Sequence, residues 1–190
     1  MSLPRRIEGY AVVSEDGMLA DASGAFPPAL KVEADQRFFE RGLDAADAVL
    51  HGRNSHERQM RSALRPRLVL TRRIPAISRS ARNSLALFWN PSGASFEDAW
   101  DALGLGAATL AVIGGTEVFG MFLDRYDRFY LSRVPGVRLP GGRPVFPDVP
   151  RRTPEAIMAE HGLAGGDPQM LDARRGVTVT PWDRKTAPGI

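Results

Sequence analysis

The 190-residue chain contains no cysteine, which excludes disulfides, thiolate metal sites and cysteine nucleophiles together. Lysine is almost absent as well: Lys31 and Lys185 are the only two, so nearly all the positive charge is arginine. No stretch reaches the roughly 18 uninterrupted apolar residues that would span a bilayer, so no membrane partner is expected. The first residues, MSLPRRIEGYAVVSEDG, hold a basic pair, but Glu8, Glu15 and Asp16 follow and no signal-peptide core is read there. The expected location is therefore the cytoplasm. His51, His56 and His161 lack the spacing of zinc ligands, so no metal site is expected. A Gly-x-Ser-x-Gly elbow is also missing, which argues against a serine hydrolase.

What is present is an ordinary globular composition, 43% hydrophobic and 25% charged. The length suits one sizeable core, so residues 1–190 are read as a single domain with its core at about 7–183. The net charge is only +3, and acids are interspersed among the arginines. A nucleic-acid binder would cluster its basic residues on one face, so no nucleic-acid partner is expected.

Hydrophobic spacing alternates strand and helix. Ile7 to Val13 reads as a buried strand ending in the turn Glu15-Asp16-Gly17, and Asp21 to Pro28 as a loop. Glu33 to Leu43 has helical spacing, with Phe38 and Phe39 as core anchors. Ala48 to Leu50 is a short strand, Ser55 to Leu64 a helix with Ser55 as its cap, and Leu68 to Thr71 a strand. Ala86 to Trp89, Thr109 to Ile113 and Arg128 to Val134 are further strands, with helices from Ser95 through Leu103 and from Glu117 to Leu123. The tail shows strand-like patches near Ile157, Met170 and Val177 to Thr180, and Pro135 to Pro150 reads as a long hairpin loop. Strands separated by single helices predict an α/β domain: a central, mostly parallel mixed sheet flanked by helices, with an antiparallel C-terminal edge hairpin.

Three strand ends carry phosphate-friendly chemistry. Ile113-Gly114-Gly115-Thr116 runs from an apolar strand through two glycines into a helix capped by Thr116. Such a turn lets backbone N–H groups approach a diphosphate, and it also occurs as a plain tight turn. His51-Gly52-Arg53-Asn54-Ser55 repeats the pattern with an arginine and two small polar side chains, a phosphate site or a capped helix with a solvated arginine. Leu70-Thr71-Arg72-Arg73 adds a hydroxyl and two arginines. Together they fit a dinucleotide across the carboxyl ends of a parallel sheet. Asp35, in the first turn of the Phe38-Phe39 helix, either stabilises that helix end or faces an apolar pocket, where desolvation would suit it to proton transfer.

The ordered set of motifs resembles the dihydrofolate reductase family, including the reductase domain of riboflavin biosynthesis. The resemblance covers about Ile7 to Asp183. Val12-Val13-Ser14-Glu15-Asp16-Gly17-Met18-Leu19-Ala20 is similar to the family's first strand, and Ala34-Asp35 with Phe38-Phe39 to its acid-bearing helix. Gly52-Arg53-Asn54-Ser55 and Gly114-Gly115-Thr116-Glu117 are similar to its two glycine turns, the peptide between the paired glycines being cis in the family. Tyr130-Leu131-Ser132 and Phe146-Pro147-Asp148 complete the set. Two departures stand out. Phe26-Pro27-Pro28 replaces the family's Pro-Trp, and His51 stands where an apolar residue is usual.

The resemblance implies NADPH as cofactor. Gly114, Gly115 and Thr116 would hold the diphosphate, with Gly52, Arg53, Asn54 and Ser55 beside it and Ile113, Glu117 and Val118 around the turn. Leu70, Thr71 and Arg72 would take the adenosine 2′-phosphate, and Val12 and Ala20 would flank the nicotinamide. A small heterocyclic substrate, pteridine- or pyrimidine-type, would rest against Val13, Phe38 and Phe39, with Arg65 near its far end. Asp35, supported by Ser132, would assist protonation. Two alternatives stand beside this reading: a 5-amino-6-(5-phosphoribosylamino)uracil reductase of riboflavin biosynthesis, and a nucleotide-binding module without turnover. Members of the broader group often pair, and the apolar Val134 to Val149 region is the expected homodimer interface.

Overall fold

The structure is a computed structural model that describes residues 3–55 and 61–185. Its strands are β1 (Arg6–Ser14), β2 (Met18–Ala20), β3 (Ala48–Gly52), β4 (Arg67–Leu70), β5 (Ile77–Arg79), β6 (Ala86–Trp89), β7 (Thr109–Val112), β8 (Arg128–Val134), β9 (Arg143–Pro144), β10 (Leu163–Gly165), β11 (Gln169–Asp172) and β12 (Val177–Arg184). The α-helices are α1 (Glu33–Ala45), α2 (Phe96–Leu103), α3 (Thr116–Met121) and α4 (Pro154–Glu160). None is long and apolar enough to cross a membrane.

The main sheet runs β10-β12-β8-β1-β7-β3-β4-β6-β5, with β11 on β12. From β8 to β6 every pairing is parallel. At the C-terminal edge β12 pairs antiparallel with β8, β10 and β11. This is the mixed, mostly parallel sheet with an antiparallel edge that the sequence spacing predicts; the other edge, β5, is antiparallel too.

Each face of the sheet is covered because β1 alternates. Tyr10 joins Leu43, Val49 and Ala111 on the α1 face, with Phe38 and Phe39 packed against them. On the other face Ile7 and Val13 enter the main core with Leu50, Leu110, Trp100 and Phe119. The inward stripe of α1 is buried Asp35 and Leu43 with half-buried Phe38, Phe39 and Gly42, the i, i+3, i+4, i+7, i+8 pattern of a half-buried helix. Helix α2 opens on a complete capping box between Ser95 and Asp98 and ends at Gly104 in the left-handed conformation.

The structure corrects three local expectations, and a fourth falls largely outside the described residues. The patch near Ile157 is helix α4, not a strand: Thr153 caps it by accepting from Ala156 N, and Pro154 takes its first turn. Thr116 is not a cap; Gly115 holds that position and the Thr116 hydroxyl donates to the Pro144 carbonyl. The Ser55 to Leu64 helix lies largely outside the described residues, which show a single 3₁₀ turn at Ser62–Leu64. The Pro135 to Pro150 segment is not a free hairpin. Its Val145, Phe146 and Val149 are buried in the main core, and β9 pairs with β2. These apolar side chains pack within the protein's own core.

Gly9 marks how closely β1 is packed. A Cβ there would lie 2.2 Å from Cδ2 of Phe129 and 3.0 Å from Cε1 of Tyr126, both fully buried. Gly9→Ala should therefore destabilise the protein by about 1–3 kcal/mol through overpacking. Urea unfolding checks this, and an unchanged midpoint would contradict it.

Candidate active site

Strands β7, β3 and β4 are neighbours, so their carboxyl ends lie side by side. The glycine turns that follow them touch directly: Gly52 N donates to Gly114 O at 2.7 Å, and Arg53 N to Leu70 O at 3.0 Å. Thus Gly52 to Ser55, Leu70 to Arg72 and Ile113 to Val118, far apart in sequence, form one continuous ledge. The Gly114–Gly115 peptide is cis, as the resemblance implied.

Two of the glycines on this ledge have different reasons to be glycine. Gly114 sits at φ +104, and a Cβ would meet Phe119 at 2.8 Å, so the fold itself requires it. Gly115 has no such need. A Cβ there would meet only Ser55 Oγ, at an ordinary 3.5 Å. Its bareness leaves the backbone open to a ligand. Exposed Arg53 and Arg72 border the ledge, and neither forms an ion pair with another described residue. Thr71 is buried, and its hydroxyl accepts from Arg73 N at 3.3 Å. Val118 lies buried beneath Gly52, while Glu117 is exposed. An open backbone beside two exposed guanidiniums is a donor set suited to phosphate groups.

The β2–β9 ribbon closes one side. Ala20 is opposite Arg143, Met18 is opposite Pro144, and the Pro144 carbonyl receives the Thr116 hydroxyl. The ribbon thereby ties the segment after β1 to the paired-glycine turn. His51, the unusual residue in β3, is buried with Nδ1 2.9 Å from the Gly52 carbonyl.

On the α1 face a small pocket surrounds Asp35. Its walls are Tyr10, Phe38, Phe39 and Tyr130, with Ala11 and Ser132 from the paired strands β1 and β8. Its free space is about 10 Å³, room for roughly one water. Asp35 is 8% exposed on the apolar stripe of its helix. Burial pushes its pKa up from the ordinary aspartate range, and the hydrogen bond from Ser132 partly offsets this by favouring the charged form. Of the two readings of Asp35, the structure places it in an apolar pocket.

Two expected site residues stand apart. Val13 is fully buried in the main core, on the face of β1 away from Phe38 and Phe39, because β1 alternates and Val12 takes the other side. Arg65 lies in a different, wider groove of about 230 Å³ at the far end of α1, where it pairs with Asp44 at 2.5 Å. Conversely, Tyr10 lines the Asp35 pocket, and spacing within β1 alone did not single it out. Gly42, seven residues after Asp35 on the same stripe, was the available signal.

No protein-family model and no curated protein matches this chain. Solved structures do. A protein assigned to riboflavin biosynthesis from Shewanella sp. PV-4 superimposes with a TM-score of 0.63 at 18% identity, over 98% of this chain and 100% of that one. Dihydrofolate reductase from Enterococcus faecalis, complexed with NADP(H) and RAB-propyl, gives 0.65 at 15% identity over 98% and 100%. A diaminohydroxyphosphoribosylaminopyrimidine deaminase/5-amino-6-(5-phosphoribosylamino)uracil reductase from Thermotoga maritima gives 0.68 at 14% identity, over 96% of this chain and 57% of that one. The chain has the dihydrofolate reductase-like fold.

The buried acid has a thermodynamic consequence of definite sign. A carboxyl whose pKa is raised on folding contributes stability below the unfolded aspartate value and loses it as pH rises through the raised one. Asp35→Asn should thus unfold at a higher temperature than the wild type at pH 7. The gap should shrink as pH falls toward about 4. Melting curves at the two pH values check this; a gap that grows toward acid would contradict it.

Proposed function

We propose that the protein is an NADPH-dependent reductase that transfers a hydride to a small heterocyclic substrate of pteridine or pyrimidine type. The observation that carries the reading is the ledge at the ends of β7, β3 and β4, with its bare Gly115 and exposed Arg53 and Arg72, beside a buried carboxyl on the neighbouring α1. The fold likeness supports it as analogy.

In this reading the N–H groups of the Gly114–Thr116 turn hold the diphosphate, with the side chains of Arg53, Asn54 and Ser55 beside it, since the Gly52, Arg53 and Ser55 N–H groups already bond within the fold. Arg72, beside Thr71 and Leu70, holds the 2′-phosphate through paired hydrogen bonds and selects NADPH over NADH. Val12 and Ala20 flank the nicotinamide. The bound nucleotide supplies the hydride. Asp35 hydrogen-bonds the edge of the substrate ring and, with its pKa raised by burial, can deliver a proton to the atom next to the reduced carbon. Ser132 orients that carboxyl. Phe38 and Phe39 keep water from the pocket.

The groove at Arg65 favours a substrate without an acidic tail, since Asp44 already engages that guanidinium. A second reading, reduction of a phosphorylated ribosylaminopyrimidine, gains support from Arg143, which is exposed opposite Ala20. That guanidinium could receive a substrate phosphate. A binding module without turnover is the outcome if no acceptor is reduced.

Titration with NADPH and NADH is the first test. NADPH should bind at least tenfold tighter, and Arg72→Gln should abolish most of that preference while leaving NADH affinity within about twofold. Failure to bind either nucleotide would end the reading. Asp35→Asn should lower turnover by about 10²-fold or more, with NADPH affinity nearly intact. Equal loss of both would remove Asp35 from the chemistry.

A further inference from the structure

Strand β6 lies between two strands that follow one another in the chain. It pairs parallel with β4 on one side and antiparallel with β5 on the other. The chain that leaves β4 must therefore arch over the carboxyl end of β6 before it returns as β5. That arch, Thr71 to Ala76, carries exposed Arg72 and Arg73 at the border of the ledge.

Both feet of the arch stand on β6 and the turn that follows it. At the first foot Thr71 N donates to the Trp89 carbonyl at 2.9 Å, and the Thr71 hydroxyl accepts from Arg73 N at 3.3 Å. At the second foot Asn90 N donates to the Ala76 carbonyl at 2.7 Å. The Asn90 side chain then reaches into the arch. Its Nδ2 donates to the Ile74 carbonyl at 2.7 Å and to that of Pro75 at 3.4 Å, while Oδ1 accepts from Ser92 N at 3.0 Å. Asn90 is 8% exposed, so its amide holds these carbonyls with little competition from water.

The supporting turn is itself well fixed. Pro91 keeps Asn90 extended, the Asn90 carbonyl accepts from Gly93 N and Ala94 N, and Trp89 Nε1 donates to the Ala94 carbonyl. Gly93 lies directly against the arch: a Cβ there would stand 1.8 Å from the Pro75 carbonyl oxygen, far inside contact distance. A buried amide aimed at the arch and a residue with no room for a side chain beside it both serve the segment that carries the arginines.

We infer that Asn90 is a positioning residue: by holding Ile74 and Pro75 it fixes the stance of Arg72 and so sets the preference for a nucleotide with a 2′-phosphate. This rests on the reductase reading, which gives Arg72 that phosphate, and adds the part of the fold that makes the arginine effective. A guanidinium on a loose loop loses conformational entropy when it clasps a phosphate, whereas one on a pinned arch has lost much of it on folding. NADH has no group for Arg72 to clasp, so its affinity is indifferent to Asn90.

Calorimetry with NADPH and NADH on the wild type, Asn90→Ala, Arg72→Gln and the double variant tests this. Asn90→Ala should weaken NADPH by about fivefold or more and leave NADH within about twofold. The double variant should bind NADPH within about twofold of Arg72→Gln alone, since Asn90 acts through that arginine. Equal weakening of both nucleotides, an unchanged ratio, or losses that multiply in the double variant would each overturn the inference. A second readout needs no nucleotide. Limited trypsin digestion should nick Asn90→Ala after Arg72 and Arg73 about fivefold faster than the wild type, and nicking at the wild-type rate overturns the inference. If Asn90→Ala does not fold, Gly93→Ala, which displaces Pro75 by overlap, must show the same selective loss of NADPH. A wild type that binds neither nucleotide ends the reductase reading and this inference with it. A wild type that prefers NADPH, with variants that keep the preference, ends this inference alone.

Discussion

The arrangement depends on one pairing: β7 enters the sheet between β1 and β3. Its register, Gly9 opposite Val112 on one side and Leu50 opposite Val112 on the other, leaves the carboxyl ends of β7 and β3 nearly level, while β1 runs on to Ser14. The hydrogen bond from Gly52 to Gly114 is possible only because of that level end. Parallel strands need long crossovers, so the residues that meet there come from widely separated parts of the chain. The same pairing leaves β1 with β8 on its other side, and β8 carries Ser132 to the acid.

A carboxyl on the apolar stripe of α1 is the second feature, and it conflicts with packing. Positions i, i+3, i+4, i+7 and i+8 of such a helix normally hold hydrophobes, yet the first of them is Asp35. Burial costs stability there, and only the Ser132 hydroxyl offsets part of it. A carboxyl on a stripe otherwise held by Phe38, Phe39 and Leu43 breaks a local rule, and such breaks cluster at functional sites. Gly42 on the same stripe is the complementary exception. It is a poor helix former, and it stands where the phenol of Tyr10 leaves no room for a Cβ.

The ledge and the pocket differ in electrostatic character. On the ledge, the bare paired-glycine turn lies beside exposed Arg53 and Arg72, in a setting suited to anions. In the pocket the walls are aromatic and hydrophobic, and the single charge is negative. The fold keeps the two apart while β1 connects them, so a surface suited to anions and an apolar pocket adjoin one another.

The sequence by itself determined the elements whose signals are local. The strand–glycine–helix turns at Gly52 and Gly114, the Ser95 cap of α2, the acid in the first turn of α1 and the alternation that implied a parallel sheet all depend on residues within a turn or two of one another. Where local signals compete, as at Thr153-Pro154 before α4, an apolar patch was read as a strand although the cap chemistry specifies a helix. Tertiary structure alone decided which face of β1 each valine takes, so that Val13 lies in the main core and Val12 packs against the cluster of Leu30, Val32, Val134 and Val177. It also decided that Arg65 meets Asp44 in a separate groove and that Tyr10 fills the space under Gly42. The physical reason is common to all three: strand register and helix placement are set by burial summed over the whole sheet, and no short window of sequence contains that sum.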